Sequence, residues 1–365
     1  FALNAFNITT GGDGYNTAVG ANAGVAVTTG VSNVLIGALA GDALTDADQN
    51  VAVGKNALGS DTRGSTSTAI GHGSLAVQNF TTATNGYNTA VGYHSGVAVT
   101  TGLRNTILGS LAGDALTDAD DNVALGMDAL STDTLGSRSV AVGKGALNVQ
   151  NFTTATNTHN TAVGYQAGTA VTTGIENTLI GGLAGDALTS AGNNTALGAY
   201  ALTTDTLGSK TTAIGNGALF SQNFTTATDS YNTAVGHAAG ISVTTGTNNT
   251  LMGGLAGDAI TTGNSNTLLG YNAGGAESTG SNNVIIGQAG QAQTLTSDTV
   301  AVGDGALQTN TKSAKNTAIG RSALRVLNHT TATDAFNVAV GHSAGAAVTT
   351  GINNTLIGGA AGDAL

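Results

Sequence analysis

Carboxylates at alternating positions are the side chains of this sequence best suited to bind a cation. Asp46 and Asp48 alternate in the segment TDADQN, and Asp118 and Asp120 alternate in its second copy, TDADDN. Ca²⁺ takes about six to eight oxygen ligands, which such a loop could begin to supply. The EF-hand continuation is missing, and the later copies read TSAGNN and TTGNSN. We therefore treat these four residues as Ca²⁺ candidates, but favour a solvated polar turn.

Three of the six histidines, His72, His237 and His342, directly follow a glycine that recurs through the chain. In an assembly of identical chains each would occur once per chain, and a ring of imidazoles could surround an ion. No other side chains with ligand spacing accompany them. We favour corner or surface histidines, and we predict neither a metal nor a cofactor.

An aromatic pair recurs in a longer segment that reads NFTTAT or HTTAT. Such rings could form a row of sugar-stacking platforms, or they could fix the longer loop against the neighbouring coil, which is the favoured interpretation. The pairs are Phe80 with Tyr87, Phe152 with His159, Phe224 with Tyr231, and His329 with Phe336. The surface glycan candidates are Phe80, Tyr87, Phe152, Phe224 and Tyr231.

Catalytic constellations are scarce. A glycosidase needs two carboxylates across a groove, but the only glutamates are Glu176 and Glu277, and the aspartates recur in turns. No Ser-His-Asp or phosphate-loop signature stands out from the Gly- and Ser-rich background. We predict that the chain is not an enzyme; cleavage of polysaccharide is the competing class.

The composition is unusual for a globular domain. The 365 residues include 56 Gly but no Pro, Cys or Trp, and only 8% are charged. The net charge of −11 argues against a nucleic-acid partner, because phosphate binding needs clustered Lys and Arg. No run approaches the ~18 apolar residues of a membrane helix, so we predict no membrane insertion in this segment.

The whole chain, residues 1–365, is one continuous repeat without a domain boundary. Steps of 17, 17, 17 and 21 residues cycle into a 72-residue super-repeat, although six units replace four between Gly236 and Gly341 and one step is 16. Both ends stop in mid-repeat, so we expect a segment of a longer fibre chain. The motif glycines are 20, 37, 54, 71, 92, 109, 126, 143, 164, 181, 198, 215, 236, 253, 270, 287, 303, 320, 341 and 358.

Each unit predicts a short strand that ends in a turn. The three positions before the glycine are Thr or Val, then Ala, Leu or Ile, then Val, Ile, Leu or Met. A 17-residue period fits one coil of a parallel β-solenoid with two short strands. The Asn four before the glycine would form an amide ladder. Representative structural residues are Asn16, Gly20, Asn88, Gly92, Asn160, Gly164, Asn232, Gly236, Asn337 and Gly341.

Alternation along the strand makes both faces apolar or small. Side chains one and three before the glycine share one face, and the side chain two before it lies on the other. We assign the first face to the solenoid interior. We expect the second face, with Ala18, Leu35, Ala52 and Ala69, to be covered by identical chains packed along their length.

The units NTAVGYQAG (160–168), NTAIGRSAL (316–324) and STAIGHGSL (67–75) resemble the head repeat of trimeric autotransporter adhesins of the YadA type. The 17-residue version looks more like repeats in phage tail-fibre proteins. The resemblance covers essentially the whole chain and implies a left-handed parallel β-roll of about twenty coils in a side-by-side homotrimer.

What the resemblance implies for function is a fibre shaft. As a phage tail fibre on a virion, it would project a host-receptor-binding tip. The receptor would be a cell-surface glycan or protein and would bind parts of the fibre outside this segment. The alternatives are a bacterial surface adhesin or another extracellular filament, with a polysaccharide-degrading tailspike as the enzymatic alternative.

Overall fold

The structure, a computed structural model, describes residues 14–292 and 296–365. The chain divides into two compact units, residues 1–182 and 183–365. The described residues form a parallel β-solenoid of about twenty coils and contain no helix. The predicted all-β solenoid is therefore confirmed. Since no helix occurs in these ranges, none has the length and apolar character to cross a membrane.

The first unit stacks short strands at successive coils, and neighbouring strands pair in parallel. Within residues 14–182 the strands are Thr17–Val19 (β1), Val34–Ile36 (β2), Val51–Val53 (β3), Gly64–Ser65 (β4), Thr68–Ile70 (β5), Thr84–Asn85 (β6), Thr89–Val91 (β7), Thr106–Leu108 (β8), Val123–Leu125 (β9), Gly136–Ser137 (β10), Val140–Val142 (β11), Thr156–Asn157 (β12), Thr161–Val163 (β13) and Thr178–Ile180 (β14).

The second unit repeats this arrangement. Its strands within residues 183–292 and 296–365 are Thr195–Leu197 (β15), Gly208–Ser209 (β16), Thr212–Ile214 (β17), Thr228–Asp229 (β18), Thr233–Val235 (β19), Thr250–Met252 (β20), Thr267–Leu269 (β21), Val284–Ile286 (β22), Val300–Val302 (β23), Ser313–Ala314 (β24), Thr317–Ile319 (β25), Thr333–Asp334 (β26), Val338–Val340 (β27) and Thr355–Ile357 (β28).

The sequence motif sets the register between coils. Thr17 pairs with Val34, and Ala18 with Leu35, so equivalent positions of successive coils lie side by side. The motif glycine directly after each strand allows this close stacking. Gly20 has φ of 137°, and a Cβ there would lie 2.5 Å from the carbonyl oxygen of Gly37. Only glycine fits this contact without displacing the next coil.

The predicted second strand of each coil is wrong for the 17-residue coils. A second strand occurs in the described residues only as two-residue pairs beside the insert, such as β4 with β6. Elsewhere the return path is made of turns. Residues with left-handed backbone, such as Asn22 at φ 58° and Ser32 at φ 61°, interrupt any extended run there.

The predicted orientation of the strand faces is also wrong. Ala18 is 9% exposed and Leu35, Ala52 and Ala69 are fully buried, so the residue two before the glycine points into the solenoid. The residues one and three before the glycine lie on the outside, half-buried or exposed. A coil this thin has room for one inward strand side chain, and the odd positions therefore face outward.

The interior is filled in two complementary ways. Where the inward strand residue is Leu35, the corner residue of the same coil is Gly41, whose added Cβ would lie 2.7 Å from Leu35 Cδ2. In the coils of Ala52 and Ala69, the equivalent corner carries the fully buried Leu58 and Leu75. Close packing requires this exchange of a large side chain for a small one.

Candidate functional site

The outward surface of the strands is an apolar feature that recurs in every coil. We call it the outer strand face: the side chains one and three before each motif glycine. The residues one before the glycine are Val19, Ile36, Val53, Ile70, Val91, Leu108, Leu125, Val142, Val163 and Ile180 in the first unit, and Leu197, Ile214, Val235, Met252, Leu269, Ile286, Val302, Ile319, Val340 and Ile357 in the second.

The outer strand face carries no charge in either unit. Three before the glycine, every residue is Thr or Val, and one before it every residue is aliphatic or Met. Leu108 and Leu269 remain 45% exposed and Met252 41% exposed. At about 25 cal/mol per Å² of apolar area, covering one such side chain would contribute about 1 kcal/mol. A repeated uncharged stripe of this kind is typical of an interaction surface.

The predicted amide ladder forms in the coils that carry Asn four residues before the motif glycine. Asn88 Nδ2 donates to Gly102 O at 2.7 Å, and its Oδ1 accepts from the backbone N–H of Asn105 at 2.9 Å. The same two bonds recur in both units, with Nδ2 to a glycine carbonyl and Oδ1 to the next coil, for Asn16, Asn160, Asn232 and Asn337. The ladder satisfies backbone groups that the turns leave unpaired.

The motif glycines after these strands keep one backbone conformation. Gly92, Gly164, Gly236 and Gly341 have φ between 140° and 144°. With Gly20, they hold the structural positions that the sequence assigned to them.

The insert is held by a buried polar network. Asp61 Oδ1 accepts from Gly64 N at 2.9 Å and from Phe80 N at 3.1 Å. Gln78 Nε2 donates to Asp61 Oδ2 at 2.7 Å, and Asn88 Nδ2 donates to Gln78 Oε1 at 2.9 Å. All three polar side chains are essentially buried. Because buried polar groups are costly unless paired, this network fixes where the insert leaves the coil.

The phenylalanines of the insert are not surface residues. Phe80 is 5%, Phe152 7% and Phe224 5% exposed, which contradicts their assignment as surface glycan contacts and agrees with a role in fixing the loop. Their partners face outward. Tyr87 is 55% and Tyr231 53% exposed, so only these two glycan candidates present a ring to solvent.

The acidic turns are engaged in bonds between coils. Asp48 Oδ1 accepts from Val31 N, and Asp120 Oδ1 accepts from Leu103 N, both at 2.8 Å. Asp46 Oδ1 lies 3.5 Å from Arg63 Nε. Asp118 Oδ1 accepts a hydrogen bond from the hydroxyl of Thr101 at 2.5 Å. Among residues 14–292 and 296–365, no group of three or more His, Cys, Asp or Glu could hold a metal ion.

One of the motif histidines lies in an aromatic stack. His72 stacks on Tyr93 and His94 with ring centroids 5.6 and 5.3 Å away, and Tyr93 and His94 are 4.1 Å apart. His72 is exposed. Tyr93 is also exposed, so the stack lies at the surface of the first unit.

Burial raises the pKa of several carboxyl groups outside the acidic turns. Desolvation raises the pKa of Asp42, Asp114, Asp186 and Asp258, which lie in four copies of a recurring GDA segment. Desolvation also raises the pKa of Glu277, which accepts from Gly280 N and from the Thr296 hydroxyl at 2.8 Å.

The chain matches no protein-family model and no curated protein.

Two groups of residues escaped the sequence analysis. The buried aspartates Asp61, Asp133 and Asp205 occupy a position that is Val, Leu or Ile in most other coils, and this exchange was the available signal. Lys210 and Lys315 lie beside exposed rings one coil away. Their spacing of 21 residues from the ring was visible, but the contact depends on the stacking of coils.

Proposed function

We propose that this chain is a structural fibre shaft in which three copies associate side by side through their outer strand faces. The observation that carries the proposal is the outer strand face itself, a stripe of half-exposed Thr, Val, Ile and Leu without a charge. A solitary solenoid would gain solubility from charges there. The number three follows from the resemblance to YadA head repeats.

The solenoid suits a mechanical role. Within each unit, successive coils bond to one another through strand pairs, the amide ladder and turn carbonyls, so stiffness is distributed along the unit. Three-fold association would also multiply weak contacts made by a tip. We propose that the fibre is a phage tail fibre that projects a host-receptor-binding tip, with the head of a bacterial trimeric autotransporter adhesin as the alternative.

An antibody raised against this chain tests the role as a fibre shaft and distinguishes a phage tail fibre from a bacterial adhesin. Negative-stain electron microscopy should show the antibody along thin fibres projecting from virions. Label along fibres on a bacterial surface would replace the phage assignment with the adhesin. Label confined to a soluble fraction, without fibres, would contradict the shaft.

A separate assay addresses the enzymatic alternative. Incubation with purified capsule or lipopolysaccharide should release no reducing ends. Release of reducing ends would overturn the purely structural role.

A further inference from the structure

An exposed ring in the second unit is fixed between a cation and a carboxylate. Lys210 Nζ lies 5.2 Å from the ring centroid of Tyr231 and 3.2 Å from its hydroxyl. The same Nζ donates to Asp229 Oδ2 at 2.6 Å. Tyr231 is nevertheless 53% exposed. The cation and the carboxylate thus hold an aromatic surface in place without covering it.

The same arrangement recurs with a different ring. Lys315 Nζ lies 5.2 Å from the ring centroid of Phe336 and donates to Asp334 Oδ2 at 2.6 Å. Phe336 is 51% exposed. Because phenylalanine has no hydroxyl, what both clusters share is the ring surface beside a Lys–Asp pair.

Geometry explains why the rings cannot turn inward. Tyr231 and Phe336 adopt left-handed backbone, with φ of 50° and 51°, at the corner one residue before the buried Asn232 and Asn337. Burial of that Asn and its ladder bonds fixes the corner. A fixed ring loses little conformational freedom when a ligand stacks on it.

Charge selects the class of ligand. Each lysine is already paired with an aspartate at 2.6 Å, so neither cluster offers a net positive charge. The chain as a whole carries −11, which disfavours phosphate or sulfate groups. An uncharged ligand with one apolar face and hydroxyls at its edge matches a ring beside a carboxylate.

We propose that the Tyr231 and Phe336 clusters are lateral binding sites for the pyranose rings of an uncharged polysaccharide. The sugar's apolar face stacks on the aromatic ring, and its hydroxyls donate to Asp229 or Asp334 and accept from the lysine. The sites lie on the described solenoid itself and do not depend on any receptor-binding tip.

Native electrophoresis through gels that contain dextran, galactomannan or laminarin tests this proposal on the full chain. The wild-type chain should be retarded in at least one gel. The double variant Tyr231→Ala/Phe336→Ala should bind that polysaccharide at least 10-fold more weakly, whereas Tyr231→Phe should bind within 3-fold of the wild type. Tyr200→Ala is the matched control, because Tyr200 is 46% exposed on the same unit.

Three results would overturn the proposal: an unretarded wild-type chain in all three gels, equal retardation of the double variant, or equal loss in Tyr200→Ala. Preference for dextran sulfate over dextran would overturn the assignment to uncharged sugars. Sedimentation of each variant checks assembly separately, so loss of the sugar site is distinguishable from failure of the fibre.

Discussion

The side chain of Asn88 accepts a hydrogen bond from the backbone N–H of Asn105, one coil further along the chain, at 2.9 Å. Asn105 in turn accepts from the N–H of Asn122 at 3.0 Å and donates to Ala119 O at 2.8 Å. Each amide therefore serves its own coil and the next. This makes the stack of coils, rather than any single coil, the stable unit.

Replacing Asn105 by Ala should open the ladder locally. Asn122 N and Ala119 O would lose their partners in a buried site, which costs about 1–3 kcal/mol for each group. Hydrogen exchange of the Asn122 amide should accelerate, and the urea midpoint should fall. Asn157→Ala, at an exposed Asn of the same unit, should change neither. Equal protection of the Asn122 amide in both variants would refute the role of the ladder.

Replacement by alanine should destabilise the protein at only one of two adjacent glycines. Gly253 has φ of 131°, and a Cβ there would lie 2.4 Å from Gly270 O, whereas a Cβ on Gly254 would make only ordinary contacts. Gly253→Ala should destabilise the second unit by about 3 kcal/mol or more, because strain and backbone overlap add. Gly254→Ala should lie within about 0.5 kcal/mol of the wild type. Thermal unfolding of both variants gives the comparison, and similar losses would show that the close approach does not matter.

The fourth insert supplies a natural substitution for the buried network. There Asn310 stands at the repeat position of Asp61, and Leu327 stands at that of Gln78. The side chain of Asn310 bonds to the backbone of Ser313. Gln78→Leu alone should destabilise the first unit by about 2–4 kcal/mol, because Asp61 Oδ2 loses its donor. Asp61→Asn added to it should recover at least about 1 kcal/mol. Additive losses in a double-mutant cycle would show that the two side chains do not act together.

Stability should depend on pH through Asp114. Burial raises the pKa of its carboxyl, and its Oδ1 is buried without a hydrogen-bond partner in the part of the chain that the structure describes. The folded chain therefore binds this proton more tightly than the unfolded chain. The resulting stabilisation is present below the ordinary aspartate pKa of about 4 and is lost as the pH rises through the raised value. Asp114→Asn should be more stable than the wild type at pH 7.

Asp121 is the control, because the pKa of its carboxyl is shifted in the opposite direction. Its hydrogen bond with Arg104 lowers the pKa of its carboxyl, so its contribution is present above the ordinary value and is lost as the pH falls through the lowered one. Asp121→Asn should therefore lose stability at pH 7. Urea unfolding at pH 7 and pH 4 measures both effects, and a gain in Asp121→Asn would contradict the assignment.

The sequence predicted the solenoid because its signals are local to each coil. The strand, the glycine after it and the Asn before it recur at fixed spacing, so the stacked register follows. The face assignment failed because both faces are apolar or small. Thr three before the glycine in thirteen of the twenty units was the polar signal that this face points outward.

The contacts within the polar network and the ring clusters could not be assigned from the sequence for another reason. The partners Asp61 and Gln78 are 17 residues apart, and Lys210 and Tyr231 are 21 apart. Such contacts exist only once the coils are stacked at a known register. Local composition therefore placed Asp61 in a turn, whereas the structure buries it in the core.

Sedimentation equilibrium tests whether copies of this chain cover the outer strand face. The wild-type chain should sediment at three times its mass of 35.3 kDa. Leu108→Lys/Leu269→Lys should shift toward the monomer, because both 45%-exposed side chains lie on that face. Val77→Lys/Val149→Lys, at exposed valines off that face, should remain trimeric. A wild-type chain that sediments as a stable monomer would contradict association through the outer strand face.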